Sequence, residues 1–173
     1  WYTKKGPAKY FSQLELQDIF ERALRRARLP ISFSQGFHPL PLLSFGQALS
    51  VGVSSLQEWF NVYLREDMRD DELWRLSNEL PKGMELLGFE HLSMDKKQDQ
   101  ALSEDYKLKY LCNEEKCRFY QEQWAKGLTQ DEIIWQRKTK KGWVNTNIRL
   151  FILEVEFMNL YEMQIKFSWQ KQY

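Results

Sequence analysis

Apolar residues recur at three- and four-residue steps between Leu16 and Ala27, and this spacing predicts an amphipathic helix. Ser12 stands just before the segment and Glu15 follows it three residues later, which is the pattern of a capping box. Pro30 ends the predicted helix, because the residue before a proline is disfavoured in the helical region. The apolar positions of this helix are Leu16, Ile19, Phe20, Ala23, Leu24 and Ala27.

The remaining pattern of residues 1–92 predicts strands at 8–11, 56–64 and 84–89 and a second helix over 70–80. Three acidic residues open that second helix, where the positive end of the helix dipole favours them. If the bent segment 30–53 counts as one strand, the order is β-α-β-β-α-β. This order predicts a ferredoxin-like unit, in which a four-stranded antiparallel sheet is backed by two helices.

The second part of the chain repeats the beginning of this order. Strands are predicted at 106–110 and 133–138, a helix at 114–126, and a final hairpin from strands 148–157 and 161–169. Residues 93–103 are polar and without periodicity. We therefore predict an α+β protein with a ferredoxin-like unit at 1–92, a linker at 93–103 and a second, partial ferredoxin-like unit at 104–173.

The segment 30–53 contains three of the five prolines, three of the eight glycines and one of the two histidines. Proline fixes φ and glycine permits positive φ, so the backbone path here is tightly shaped. Two interpretations stay open. The segment is either a kinked strand pair with a bulge, or a loop that presents Ser34, Gln35, Phe37 and His38 to a ligand.

Composition limits the classes of function. There are 25 basic and 24 acidic residues, so a nucleic-acid surface has to come from local clustering of charge. No apolar run is long enough for a membrane span, and no signal-peptide pattern is present. Cys112 and Cys117 are the only cysteines, too few for a zinc or iron–sulfur site. We expect two free thiols, no metal and no cofactor.

Two groups of basic residues are candidates for binding an anion. The first lies on the polar face and at the end of the first helix, where the alternative is a solvated, salt-bridged face: Arg22, Arg25, Arg26 and Arg28. The second lies in a segment of thirteen residues that contains no acidic residue and includes an aromatic side chain. Its candidates, for which the alternative is an exposed hairpin tip, are Arg137, Lys138, Lys140, Lys141, Trp143 and Arg149.

Several blocks of sequence resemble a family of unknown function that is linked to radical-SAM proteins. The blocks are KYFSQLEL at 9–16, FERALRRA at 20–27, LPISFSQGFHPLP at 29–41, SFG at 44–46, LSVGV at 49–53, RKTKKG at 137–142 and IR at 148–149. The resemblance covers nearly the whole chain. It implies RNA biology, a cytoplasmic location and a cobalamin-binding radical-SAM protein encoded nearby as partner, and it implies no catalytic residue.

The first hypothesis for function is an RNA-binding accessory module that acts with a separate cobalamin/radical-SAM enzyme. Arginine and lysine would contact phosphates, and Trp143, Phe37 and His38 would contact bases. Two alternatives stay open. One is a metal-independent endoribonuclease with His38 as its general acid/base, and the other is a protein–protein docking domain without RNA contact. Whether the chain is an enzyme is left open, with no catalytic activity of its own preferred.

Overall fold

A computed structural model describes residues 1–92, 103–140 and 142–168. Within these ranges the chain forms three α-helices and nine β-strands, with antiparallel pairing throughout, so the protein is α+β. It divides into two compact units, Trp1–Ser93 and Met94–Tyr173. The predicted linker 93–103 lies outside the described residues except for Ser103, which begins a strand.

Helix α1, Gln13–Arg26, has the predicted start and the predicted buried face. The Ser12 hydroxyl accepts from the Glu15 N–H at 3.3 Å, and the Glu15 carboxylate accepts from the Ser12 N–H at 2.7 Å. This capping box satisfies two N–H groups that the helix itself leaves free. The buried side chains of α1 are Leu16, Phe20, Ala23 and Leu24.

The end of α1 is a Schellman motif built around an arginine. The Leu29 N–H donates to the Leu24 carbonyl at 3.2 Å, and the Arg28 N–H donates to the Arg25 carbonyl at 3.1 Å. Arg28 has φ 55°, a left-handed conformation that glycine usually occupies at this position. The predicted stop at Pro30 is therefore preceded by a turn that ends the helix at Arg26.

The four strands of the first unit form two antiparallel pairs. Its strands are β1 Tyr2–Lys4, β2 Leu43–Phe45, β3 Ser55–Glu58 and β4 Phe60–Val62. β1 pairs with β3, and β2 pairs with β4, each antiparallel. On the other side of β1, Tyr2 bridges Leu86, and the Thr3 N–H donates to the Glu85 carbonyl at 2.8 Å. The first unit thus contains two two-stranded sheets, β1-β3 and β2-β4. The strand predicted at 84–89 is present only as the isolated bridge at Leu86.

Several boundaries in the first unit differ from prediction. The predicted strand 8–11 is wrong: Gly6–Tyr10 is a 3₁₀ helix with a proline in its first turn, and the true first strand is β1. Segment 56–64 is split between β3 and β4 at Trp59. The second helix is shorter than predicted, because α2 Asp70–Leu73 continues as 3₁₀ helix Trp74–Glu79.

Aromatic side chains form the centre of the first unit. The ring centroid of Phe20 lies 4.8 Å from that of Tyr2 and 4.1 Å from that of Phe60. Phe45 lies 5.6 Å from Phe60 in a stacked arrangement. Each fully buried side chain of this kind contributes about 1.5–3 kcal/mol to the free energy of unfolding. The apolar face of α1 that the sequence predicts is the face that packs against these rings.

The second unit has a three-stranded sheet and one long helix. Its elements are β5 Ser103–Lys109, α3 Glu114–Leu128, β8 Ile152–Asn159 and β9 Glu162–Ser168. The antiparallel order is β5-β9-β8. Met163 and Ile165 are buried on β9, as alternation predicts, and pack with Ile152. Trp169, the last predicted member of that face, lies outside the described residues.

A separate hairpin lies between α3 and β8. Strand β6, Ile134–Thr139, pairs with β7, Gly142–Asn147, over six residue pairs. Strand β7, which contains Trp143, was not predicted. Arg137 and Lys138 lie in β6, in agreement with the strand predicted at 133–138, and Lys140 follows β6 in a turn. The predicted strand 148–157 begins late, because Ile148–Phe151 is a 3₁₀ helix.

No helix in the described parts of the chain is long and apolar enough to cross a bilayer. The mixed helix and strand content confirms the predicted α+β class. The tandem ferredoxin-like arrangement stays a prediction.

Candidate nucleic-acid interface

We call residues 134–147 the basic hairpin, and its register decides which side chains share a face. Lys138 lies directly opposite Trp143, so their side chains project from the same face. Trp135 and Arg137 alternate with Lys138 along β6 and project from the other face. The hairpin therefore presents a tryptophan and a basic residue on each of its two faces.

The two tryptophans of the basic hairpin are largely open to solvent. Trp143 is 70% exposed and Trp135 is 51% exposed. Large aromatic side chains usually bury 150–250 Å² in a core or an interface. An exposed indole that is held on a strand leaves a flat surface on which another ring can stack.

The charge of the basic hairpin is not neutralised by neighbouring acids in the sequence. No Asp or Glu occurs between Glu132 and Glu154. Lys138 and Lys140 are exposed and form no ion pair with any described residue. Lys141 lies outside the described residues, and Arg137 is half-buried. The exposed lysines are thus available to an anionic ligand.

Asn147 fixes the base of the hairpin, a role that the sequence analysis missed. Its side-chain oxygen accepts from the Ile133 N–H at 3.0 Å and from the Arg149 N–H at 3.1 Å. The Arg149 guanidinium donates to the Ile152 carbonyl at 3.2 Å. Arg149, predicted to bind nucleic acid, is therefore half-buried and engaged in holding the chain where β8 begins.

At α1, three of the four candidate arginines are paired with acids. Arg22 lies 3.8 Å from the Asp18 carboxylate, and Arg25 lies 2.9 Å from that of Glu21. Arg26 lies 2.7 Å from the carboxylate of Glu79. Arg25 also lies over the Phe33 ring at 4.9 Å. This is the salt-bridged face that the sequence analysis kept as an alternative. Only Arg28 has no side-chain partner among the described residues.

The segment 31–42, which we call the Gly/Pro hairpin, is the strand pair expected from the first interpretation of 30–53. The Ser34 N–H donates to the Leu40 carbonyl at 2.8 Å, and the Ser34 hydroxyl accepts from the Leu40 N–H at 3.0 Å. The Ser34 hydroxyl is therefore engaged within the hairpin itself. Phe37, at 101% relative exposure, and the exposed His38 lie at the tip.

Two further polar groups were not expected from the sequence. Lys4 is fully buried, and its Nζ has no hydrogen-bond partner among the described residues. Burial lowers the pKa of the Lys4 amine, an effect that the carboxylates of Glu58 and Glu15 partly offset. His91 Nε2 lies 3.1 Å from the Asp70 carboxylate at an exposed position. Local sequence patterns predict neither the burial of Lys4 nor the contact between His91 and Asp70, because both depend on residues far apart along the chain.

The described residues contain no cluster of three or more His, Cys, Asp and Glu side chains that could hold a metal ion.

In the comparisons with known proteins, residues 1–172 match the model of a family described as an uncharacterised protein conserved in bacteria, DUF2344. That description names no activity and no radical-SAM association. No curated protein and no solved structure is significantly similar to the chain.

Proposed function

The chain belongs to this family of uncharacterised bacterial proteins, and we propose that it binds single-stranded RNA through the basic hairpin. One observation carries the proposal: Trp143 is 70% exposed and lies directly opposite Lys138 on a strand pair without acidic residues. The arginines of α1 are weaker candidates, because three of the four already pair with carboxylates.

The chemistry of the two side chains favours a single strand over a duplex. A base can stack on an exposed indole only when it is not already stacked in a helix, and each such contact contributes about 1–3 kcal/mol. The lysine opposite would contact the phosphate that flanks the stacked base. Trp135, which is 51% exposed on the other face, offers a second indole for stacking.

We further propose that the chain works as an accessory module of a separate cobalamin/radical-SAM enzyme in the bacterial cytoplasm. The resemblance of residues 9–53 to proteins encoded beside such enzymes supports this proposal. An accessory module needs to hold RNA and not to transform it, which fits a site composed of lysines and indoles. The partner would supply the reaction.

The ferredoxin-like assignment belongs to the same proposal. In the first unit, β1 bridges segment 84–87 and pairs with β3, and β2 pairs with β4, which follows β3 directly in the chain; these pairings support a ferredoxin-like strand order. In the second unit the order β5-β9-β8 matches the first three strands of that arrangement. Each unit then inserts one hairpin between its first helix and its second sheet strand.

The test is a fluorescence-anisotropy titration of the full chain with labelled single-stranded RNA, with transfer RNA and with an RNA duplex, at several salt concentrations. We expect Trp143→Ala to weaken single-strand binding by about 5- to 150-fold. We expect Lys138→Ala to reduce the slope of log affinity against log salt by about 0.7, the value for one phosphate contact on a single strand.

Lys107→Ala is the matched control. It removes the same charge from an exposed lysine of the same unit, but Lys107 already pairs with Glu162 at 3.0 Å. Equal effects of Lys107→Ala and Lys138→Ala would contradict the assignment of the site. No binding to any RNA would overturn the proposal and favour the docking-domain alternative. Cleavage that is lost in His38→Ala would instead support the endoribonuclease alternative, in which His38 is the general acid/base.

A further inference from the structure

Cys112 and Cys117 are in direct contact at the start of α3. Their Sγ atoms lie 2.7 Å apart, closer than two sulfur atoms that merely touch. Helix geometry fixes this approach, because the Cys117 N–H donates to the Asn113 carbonyl at 3.1 Å and the Asn113 side chain caps the helix. Bond formation needs a further approach to about 2.0 Å, which is within the reach of side-chain rotation.

The two thiols differ in access to solvent. Cys117 is fully buried, whereas Cys112 is partly exposed and follows Leu111, whose side chain is 92% exposed. Burial raises the pKa of the Cys117 thiol, and the hydrogen bond with Cys112 raises it further. A reagent in solution can therefore reach Cys112 first, while Cys117 is protected until its neighbour has reacted.

We propose that Cys112 and Cys117 form a reversible dithiol/disulfide pair whose oxidant is a low-molecular-weight disulfide. The Cys112 thiolate attacks one sulfur of the small disulfide and releases the first small thiolate. Cys117 then loses its proton to solvent and attacks Cys112 Sγ, which releases the second. The protein loses two hydrogen atoms and the small disulfide becomes two thiols, so an excess of the small thiol reverses the reaction.

This proposal departs from the expectation of two ordinary free thiols. The reason is the contact between the two Sγ atoms, which the sequence spacing of the cysteines does not reveal. Here the two sulfurs meet because a helix starts between them, with Asn113 as its N-cap. The dithiol also borders Tyr110, whose pKa is raised by burial and then by the Cys117 and Cys112 thiols. A disulfide carries no ionisable thiol, so oxidation would remove two of the groups that raise the pKa of this phenol.

The experiment equilibrates the folded full chain with oxidised and reduced glutathione at graded ratios, blocks free thiols by alkylation and measures intact mass. We expect the wild type to lose two hydrogen atoms with no lasting glutathione adduct. Cys117→Ser should keep one glutathione on Cys112, and Cys112→Ser should remain unmodified because Cys117 is buried. Reduced glutathione in excess should restore the dithiol.

The proposal is overturned if the folded wild type keeps both thiols at every ratio while the urea-denatured chain is oxidised. It is also overturned if the folded Cys117→Ser variant takes up no glutathione. If a serine variant does not fold, the mass of the oxidised wild type still decides the matter. RNA binding plays no part in this readout, so its outcome is independent of the proposed function.

Discussion

Two hairpins leave the sheets of this protein at equivalent points of the chain, and they are held in different ways. The Gly/Pro hairpin follows α1 and the basic hairpin follows α3. The first is tied to the core of its unit: Ile31 is 3% exposed and bridges Leu64, and the Ser32 N–H donates to the Tyr63 carbonyl at 2.7 Å. The basic hairpin relies on its own six-pair ladder and has no fully buried side chain among its described residues.

The side chains at the two hairpins differ as much as their anchoring does. The Gly/Pro hairpin contains no Lys, Arg, Asp or Glu, and its exposed tip residues are Phe37 and His38. The basic hairpin concentrates lysines and indoles on exposed strands. A hairpin buried at its base contributes to stability, whereas an exposed ladder can change its side chains without disturbing a core. The comparison therefore indicates a stabilising role for the first hairpin and agrees with the binding role proposed for the second.

The largest expected effect is on the anchor of the Gly/Pro hairpin. Ile31→Ala should lower the free energy of unfolding of the first unit by about 2–5 kcal/mol, because it leaves a cavity in a packed cluster. Ile134→Ala makes the same change on the basic hairpin, where the side chain is 49% exposed, and should cost only about 0.5 kcal/mol. Urea unfolding with residue-resolved hydrogen exchange measures both, and equal losses would refute the contrast in anchoring.

Lys4 gives the next largest effect. In the described residues, Lys4 and Thr3 are the only polar side chains that are fully buried, and both belong to the first unit. Lys4→Met keeps most of the volume and removes an unpartnered ammonium, so it should stabilise the unit by about 1–3 kcal/mol at neutral pH. A loss of stability in Lys4→Met would show that the amine has a partner in solution.

The pH dependence of unfolding checks the same residue. Burial lowers the folded-state pKa of Lys4, so between that pKa and the ordinary lysine value the unfolded chain binds more protons than the folded chain. The stability of the wild type should therefore rise as the pH increases through this alkaline range. Lys4→Met should lack that rise. Parallel pH profiles for the two proteins would show that the amine is not desolvated in the folded state.

The smallest effect concerns the turn between α1 and the Gly/Pro hairpin. Arg28→Gly should stabilise the first unit by about 1 kcal/mol, because glycine adopts the left-handed conformation at φ 55° without the steric cost that a Cβ brings. RNA affinity should stay unchanged if the basic hairpin is the site. A fall in affinity without loss of stability would move the interface to the end of α1.

Local patterns in the sequence predicted some elements well. The capping box, the buried face of α1 and the alternation of β9 depend on residues within a few positions of one another, and all three are confirmed. The strand predicted at 8–11 failed because a proline after Gly6 favours a 3₁₀ turn. Strand β7 was missed because its residues are mostly polar, and only pairing with β6 makes them a strand.

The candidate site was predicted in part. Absence of acids between Glu132 and Glu154 is a property of the sequence, and it pointed to the basic hairpin directly. The sequence could not show that Trp143 faces Lys138 or that Arg149 holds a backbone carbonyl, because register and backbone contacts are set by pairing. It also could not show that the carboxylate of Glu79, 53 residues away, accepts from the candidate Arg26.

The sequence by itself determined the α+β class, the helix starts and the clustering of positive charge, since these follow from propensity, capping and composition within short windows. Only the tertiary structure decided that Glu79 neutralises Arg26 and that Lys4 is buried. Burial and pairing are sums over neighbours from distant parts of the chain. A local sequence pattern carries no information about those neighbours, because only folding brings them together.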